Sequence, residues 1–125
     1  MCEELFKSAK MQYNIVKANR HDLDIKDDIL INCHQMLNFT LKGLLKEITG
    51  KYYKTSHLVT LMNNVDKDLC ENNKTLLTLL TYVYVAIDYE KEDYSYIKEE
   101  EFNEIVEDSI NLYKELLIKR DILTN

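Results

Sequence analysis

Apolar residues recur at three- and four-residue spacings along most of this 125-residue chain, the period of an α-helix with one buried face. Between residues 3 and 19, Leu5, Phe6, Ala9, Tyr13, Ile15 and Val16 fall within one stripe and predict a first helix. It ends at the polar cluster Asn19, Arg20, His21 and Asp22. The second helix, from about Ile25 to Thr49, has the broadest apolar face: Ile29, Leu30, Cys33, Leu37, Thr40, Leu41, Leu44, Leu45 and Ile48. At 1.5 Å per residue it would span roughly 37 Å, long for a small domain, which makes it the expected central strut. Gly43 lies inside it. A glycine there costs about 1 kcal/mol relative to alanine, and its presence predicts the close approach of another helix.

Gly50 is a natural C-terminal cap. Lys51, Tyr52, Tyr53 and Lys54 then make a basic, aromatic connection, and Thr55 or Ser56 can cap a short helix from His57 to about Asp66. The polar run from Asp66 to Asn73 reads as a loop or a weak helical end. From Lys74 to Ile87 the chain is apolar nearly all round (Leu76, Leu77, Leu79, Leu80, Val83, Tyr84), so this helix is expected to be covered on two sides, the second by the domain's own core or by a partner. Asp88 to Tyr96 reads as an acidic, tyrosine-bearing loop. The last helix, from about Lys98 to Leu123, carries Phe102, Ile105, Val106, Ile110, Leu112, Tyr113, Leu116, Leu117 and Ile118, with acids early and Lys114, Lys119 and Arg120 late, the order the helix dipole favours. Four or five helices with short connections predict an all-α, antiparallel up-and-down bundle, a single domain over residues 1–125.

Composition supports helices over sheet. There is no proline, and Gly43 and Gly50 are the only two glycines, whereas sheet-rich folds need many tight turns. Hydrophobic residues make up 46% of the chain and charged residues 30%, which places it among globular rather than disordered sequences. The net charge of −6 is uneven. Residues 88–108 carry ten acids against Lys91 and Lys98, a local charge of −8 that leaves the remainder at +2. That segment is unsuited to a phosphate backbone, which requires Lys and Arg. It reads as a solvated acidic surface or as a docking face for a basic partner.

Three dispersed cysteines, Cys2, Cys33 and Cys70, argue against a disulfide framework or zinc site and for a reducing cytoplasm. The N-terminus carries Glu3 and Glu4 with no long apolar run, unlike a signal peptide. No stretch approaches the roughly 18 consecutive apolar residues of a membrane span. The oxygen-rich segment 21–28 fails as a calcium loop, because Lys26 sits at a ligand position and Asp27 at the turn glycine.

Cys33 and His34 are adjacent, so on a helix they point about 100° apart and cannot form a nucleophile–base pair. Asn38 lies one turn from His34 and is its expected hydrogen-bond neighbour, and a structural role is expected for His34. His57, beside Thr55 and Ser56, is expected to orient or cap a helix start. The three histidines show no metal-ligand spacing, and no metal or other cofactor is expected. Lys42, Lys46, Lys51 and Lys54 with Tyr52 and Tyr53 form the one basic-aromatic patch. It suits either a solvated helix end or a nucleotide or nucleic-acid contact, in which Lys supplies charge and Tyr stacks on bases. Glycine-rich phosphate loops, nucleophile elbows and HExxH motifs are absent from the sequence.

The run His34-Gln35-Met36-Leu37-Asn38-Phe39-Thr40-Leu41-Lys42-Gly43-Leu44-Leu45 is similar to a helix of the HEPN family, small helical-bundle domains of prokaryotes, which reads HQ, two residues, E, a small residue, then LKALL. Thr55-Ser56-His57-Leu58-Val59-Thr60-Leu61 resembles the family's T-H-x-L-x-x-L helix start, and Tyr84-Val85-Ala86-Ile87-Asp88-Tyr89 sits where members carry Y-x-x-x-R-Y. The resemblance extends from about residue 3 to 120. It implies a helical bundle and a dimer in whose cleft active ribonucleases of the family pair an arginine with a histidine four to six residues later. Here the arginine position is Asp88, no histidine follows His57, and Asn38 replaces the helix glutamate. A carboxylate cannot stabilise the charge developing on a phosphate. The resemblance therefore implies no catalytic residues here, and an interaction domain that forms a homodimer around Tyr84, Asp88 and Tyr89. It also implies a minimal nucleotidyltransferase as partner in a toxin–antitoxin-like pair. The alternative is a nucleotide- or RNA-binding domain, or a ribonuclease with a relocated site, built on Lys42, Lys51, Lys54 and His57.

Overall fold

The computed structural model describes residues 2–91 and 97–124. Among them the order is α1 (Cys2–Asn19), a 3-10 turn (Leu23–Ile25), α2 (Lys26–Thr49), α3 (Leu58–Val65), α4 (Lys67–Asn72), α5 (Lys74–Asp88) and α6 (Glu99–Thr124). No strand occurs among the described residues. The expected acidic loop over 88–96 falls partly on residues 92–96, outside the described residues; Asp88 itself closes α5.

The ends of these helices follow from local chemistry. Glu3 and Glu4 open α1, and Glu99, Glu100 and Glu101 open α6, each placing negative charge where the helix dipole is positive. Gly50 ends α2 in the left-handed region, φ 76°, with its N–H on the Lys46 carbonyl. Of the two expectations for the run after Asp66, a loop or a weak helical end, the structure has a short helix, α4, because the Asp66 carboxylate accepts from the Leu69 N–H at 3.0 Å and starts a new turn. The cap of α3 also differs. His57 takes that position without a side-chain cap bond, and Thr55 Oγ1 accepts from its N–H.

Chain direction alternates along the four long helices. Glu3 meets Arg120, Tyr13 stacks on Tyr113 and Arg20 pairs with Glu107, so α1 runs antiparallel to α6. Lys26 donates to the Ile97 carbonyl and Glu47 binds Arg120, so α2 runs parallel to α6. α2 is the strut: it touches α1, α3, α5 and α6, and thirteen of its residues are buried. By contrast α5 and α6 meet sparsely. One core runs through the bundle, from Phe6 and Val16 through Leu37, Leu41 and Leu61 to Phe102 and Leu116. Ile15 and Ile118 fall off the expected stripes and are exposed, because the faces of α1 and α6 are narrower than the apolar residues alone suggest.

Gly43 marks the closest approach of α1 to α2. A Cβ there would lie 2.8 Å from the tip of the Phe6 ring. On the ring's other contact sits the Arg120 guanidinium, 3.6 Å from the centroid. Arg120 grips Glu47 through two bonds, of 3.0 and 2.9 Å, and reaches Glu3 at 2.7 Å. These carboxylates hold the guanidinium protonated beyond its usual range. The late cations of α6 thus act across helices, since Lys119 pairs with Asp66.

Candidate functional site

The most polar part of the buried interior lies on one face of α2. His34, Asn38 and Lys42 follow each other at four-residue intervals and share that face, each almost completely buried. The His34 ring lies flat on Tyr84 of α5, centroids 4.0 Å apart and planes within 5°. Its Nε2–H donates to the Ser56 carbonyl at 2.9 Å, while Nδ1 faces the Gln35 side-chain amide at 3.3 Å. Burial pushes the His34 pKa down to about 4, with a smaller push from Lys42, so the imidazole is neutral near pH 7. His34 therefore joins three segments: α2, the turn before α3, and α5.

A second cross-link holds the same turn. Thr81 of α5 presents its hydroxyl to the buried Leu58 N–H at 3.1 Å and donates to the Leu77 carbonyl at 2.9 Å. It supplies from another helix the cap that α3 lacks locally. Asn38 does not bond to His34; its Nδ2 donates instead to Gln35 Oε1 at 3.2 Å. Its buried Oδ1 has no hydrogen-bond partner among the described residues.

The four expected ligand-binding residues are not alike. Lys42 is buried, with its ammonium 5.5 Å from the Tyr52 ring centroid, a cation–π contact that occupies both groups. Lys51 and Lys54 are exposed on the turn, and His57 is exposed at the head of α3, its Nδ1 3.5 Å from Thr60 Oγ1. Lys46, also of the basic patch, donates to the Gly50 carbonyl and closes α2. The three expected interface residues divide likewise. Tyr84 is turned inward on His34 and half-buried, whereas Asp88 and Tyr89 are exposed, Tyr89 meeting Tyr84 edge to face at 5.9 Å.

The buried His34 and Cys33 and the half-buried Tyr84 are poorly suited to acid–base or nucleophilic chemistry. Neutral His34 spends its one N–H on a backbone carbonyl. Burial raises the Tyr84 phenol to about 12, with a further push from Tyr89, and it raises the Cys33 thiol to about 12. Among the described residues, no group of three or more His, Cys, Asp and Glu side chains could hold a metal ion, and no helix is long and apolar enough to cross a membrane.

Sequence reasoning missed the stacking of His34 on Tyr84, the cap from Thr81 and the grip of Arg120. A histidine and an asparagine at helical spacing within an apolar face were a signal that polar partners must come from elsewhere. Thr81 inside an apolar run carried the same signal. A family model described as the HEPN domain matches residues 2–120. No curated protein and no solved structure matches the chain.

Proposed function

The chain belongs to the HEPN domain family, and from that premise we propose that it is a non-catalytic interaction domain of the cytoplasm. In this reading it forms a homodimer and partners a minimal nucleotidyltransferase in a toxin–antitoxin-like pair. The observation that carries the reading is the outward face of α5. Tyr82, Val85 and Tyr89 recur there at helical spacing and are 62%, 40% and 69% exposed. Adjacent large apolar side chains left in water favour a protein contact. Asp88 and Tyr89 form the end of that face, with Tyr84 packed behind them. By the resemblance, Asp88 takes the position of the family's ribonuclease arginine, and no histidine follows His57 in the sequence. The three free cysteines suit a reducing compartment.

The second reading, a nucleotide or RNA contact, is favoured by Tyr52, Lys51 and Lys54 standing exposed on one short turn, with His57 after it and Lys42 behind it. Light scattering coupled to size exclusion tests the first reading. We expect a dimer at micromolar concentration and a monomer for Val85→Glu/Tyr89→Glu; a monomeric wild type refutes the dimer. An RNA cleavage assay separates the two readings. No cleavage is expected, and a cleavage activity that disappears in His57→Ala would replace the first reading with the second.

A further inference from the structure

The sparse meeting of α5 and α6 leaves a groove of about 380 Å³ between them. Its floor is apolar, formed by Leu76 and Leu79 of α5 and by Ile105 and Leu112 of α6. One wall is acidic. Glu101, Glu104, Asp108 and Glu115 line it at the spacing of one helix face, over about 21 Å of α6. The other wall is neutral, with Asn72, Asn73 and Thr75. Among the described residues none of the four wall acids forms an ion pair, whereas acids nearby do, Glu107 with Arg20 and Asp66 with Lys119.

We propose that this groove is a docking site for a basic amphipathic helix of a partner protein. The inference rests on the reading that the domain works through protein contacts, and it names the chemistry of the partner. The apolar floor lies between two helices, where a third helix packs by the same ridge-and-groove rules. The length of the wall matches about four turns of such a helix. Four uncompensated carboxylates along one side call for Lys or Arg at matching intervals, which raises the association rate and fixes the orientation. A second copy of this chain is a poor occupant, because a groove-to-groove contact brings two acidic walls into one interface and the groove's lining holds no Lys or Arg to offset them. The occupant thus differs from that of the aromatic end of α5.

The probe is a synthetic peptide of about 18 residues with a leucine stripe flanked by lysines, read by fluorescence anisotropy. Its counterpart carries glutamates in place of the lysines. The lysine peptide is expected to bind, more weakly as salt shortens the Debye length, and the glutamate peptide is not. Glu104→Lys/Asp108→Lys should weaken binding at least about tenfold, and the milder Glu104→Gln/Asp108→Gln by less; all four positions of wall charge are on the helix surface, and circular dichroism verifies the fold. Glu4→Lys/Asp24→Lys makes the same charge change away from the groove and should leave binding nearly intact. Absence of binding, or equal loss in the two lysine variants, overturns the proposal. Self-association abolished by Glu104→Lys/Asp108→Lys would also overturn it, by giving the groove to a second copy. The dimer reading is tested separately at Val85 and Tyr89, so the two can fail independently.

Discussion

Acidification should loosen this domain through His34, in a pH range where its carboxylates are still ionised. The ring is fully buried, stacked on Tyr84 and bonded through Nε2–H to Ser56, and burial lowers its pKa from 6.5 to about 4. Lys42 opposes protonation and Asp88 favours it weakly. Between these two pKa values the unfolded chain binds a proton that the folded chain refuses, so stability falls as pH falls. The full difference is about 3 kcal/mol, at 1.36 kcal/mol per pKa unit. Most of it, about 2 kcal/mol, is lost on going from about pH 7 to about pH 5. Asp66 and Glu107, whose pKa values are lowered by Lys119 and Arg20, add their losses only below the ordinary carboxylate range. Urea unfolding followed by far-ultraviolet circular dichroism checks this at several pH values, for wild type and His34→Gln. The variant loses the stack and is less stable at neutral pH, but its stability should change far less over the same interval. His21 and His57 are exposed and common to both proteins, so they cancel. Parallel pH profiles, or a His34 imidazole resonance that titrates near its ordinary pKa, would refute the reasoning.

Gly43→Ala should lower the melting temperature, although alanine is the better helix former by about 1 kcal/mol. The added methyl meets the tip of the Phe6 ring, on which the Arg120 guanidinium also packs, and overpacking of this kind costs about 1–3 kcal/mol; a higher melting temperature would show that the ring is free to move. Arg120→Lys keeps the charge but loses the two-pronged grip on Glu47 and the contact with Phe6, and should cost about 1–2 kcal/mol in denaturant unfolding. Its effect should be non-additive with Glu47→Gln, and simple additivity would mean that the pair is not coupled. Thr81→Val strands the buried Leu58 N–H and should cost about 1–3 kcal/mol. Faster hydrogen exchange of the Leu58 amide is the more specific sign, and an unchanged rate would contradict the tertiary cap.

The helices of this protein were legible in the sequence because their information is local. Period, absence of proline, Gly50 and the acidic first turns are each read within a few residues, and they placed α1, α2, α5 and α6 almost at their observed ends. Gly43 even foretold a close helix contact. The buried face of α2 was visible as well, since Leu37, Leu41, Leu44 and Leu45 repeat at helical spacing. Less local features are not legible in this way. The run after Asp66 reads equally as a loop or a weak helical end, and only the cap formed by the Asp66 carboxylate makes it α4; Ile118 falls on the apolar stripe yet is exposed.

Which partner each polar group finds was a matter for the tertiary structure alone. His34 and Tyr84 are fifty residues apart in sequence, and nothing near either one names the other; only the packing of α5 on α2 brings the rings together. The same packing draws Lys42 under Tyr52 and leaves Lys51 and Lys54 in water, so one basic run divides into a buried contact and an exposed pair. It turns Tyr84 inward and Tyr89 outward on one helix, and it leaves α5 and α6 apart, opening the acidic groove. Helices are fixed by short-range periodicity, whereas the pairing, burial and charge environment of a side chain depend on residues distant in sequence, and no local pattern records those.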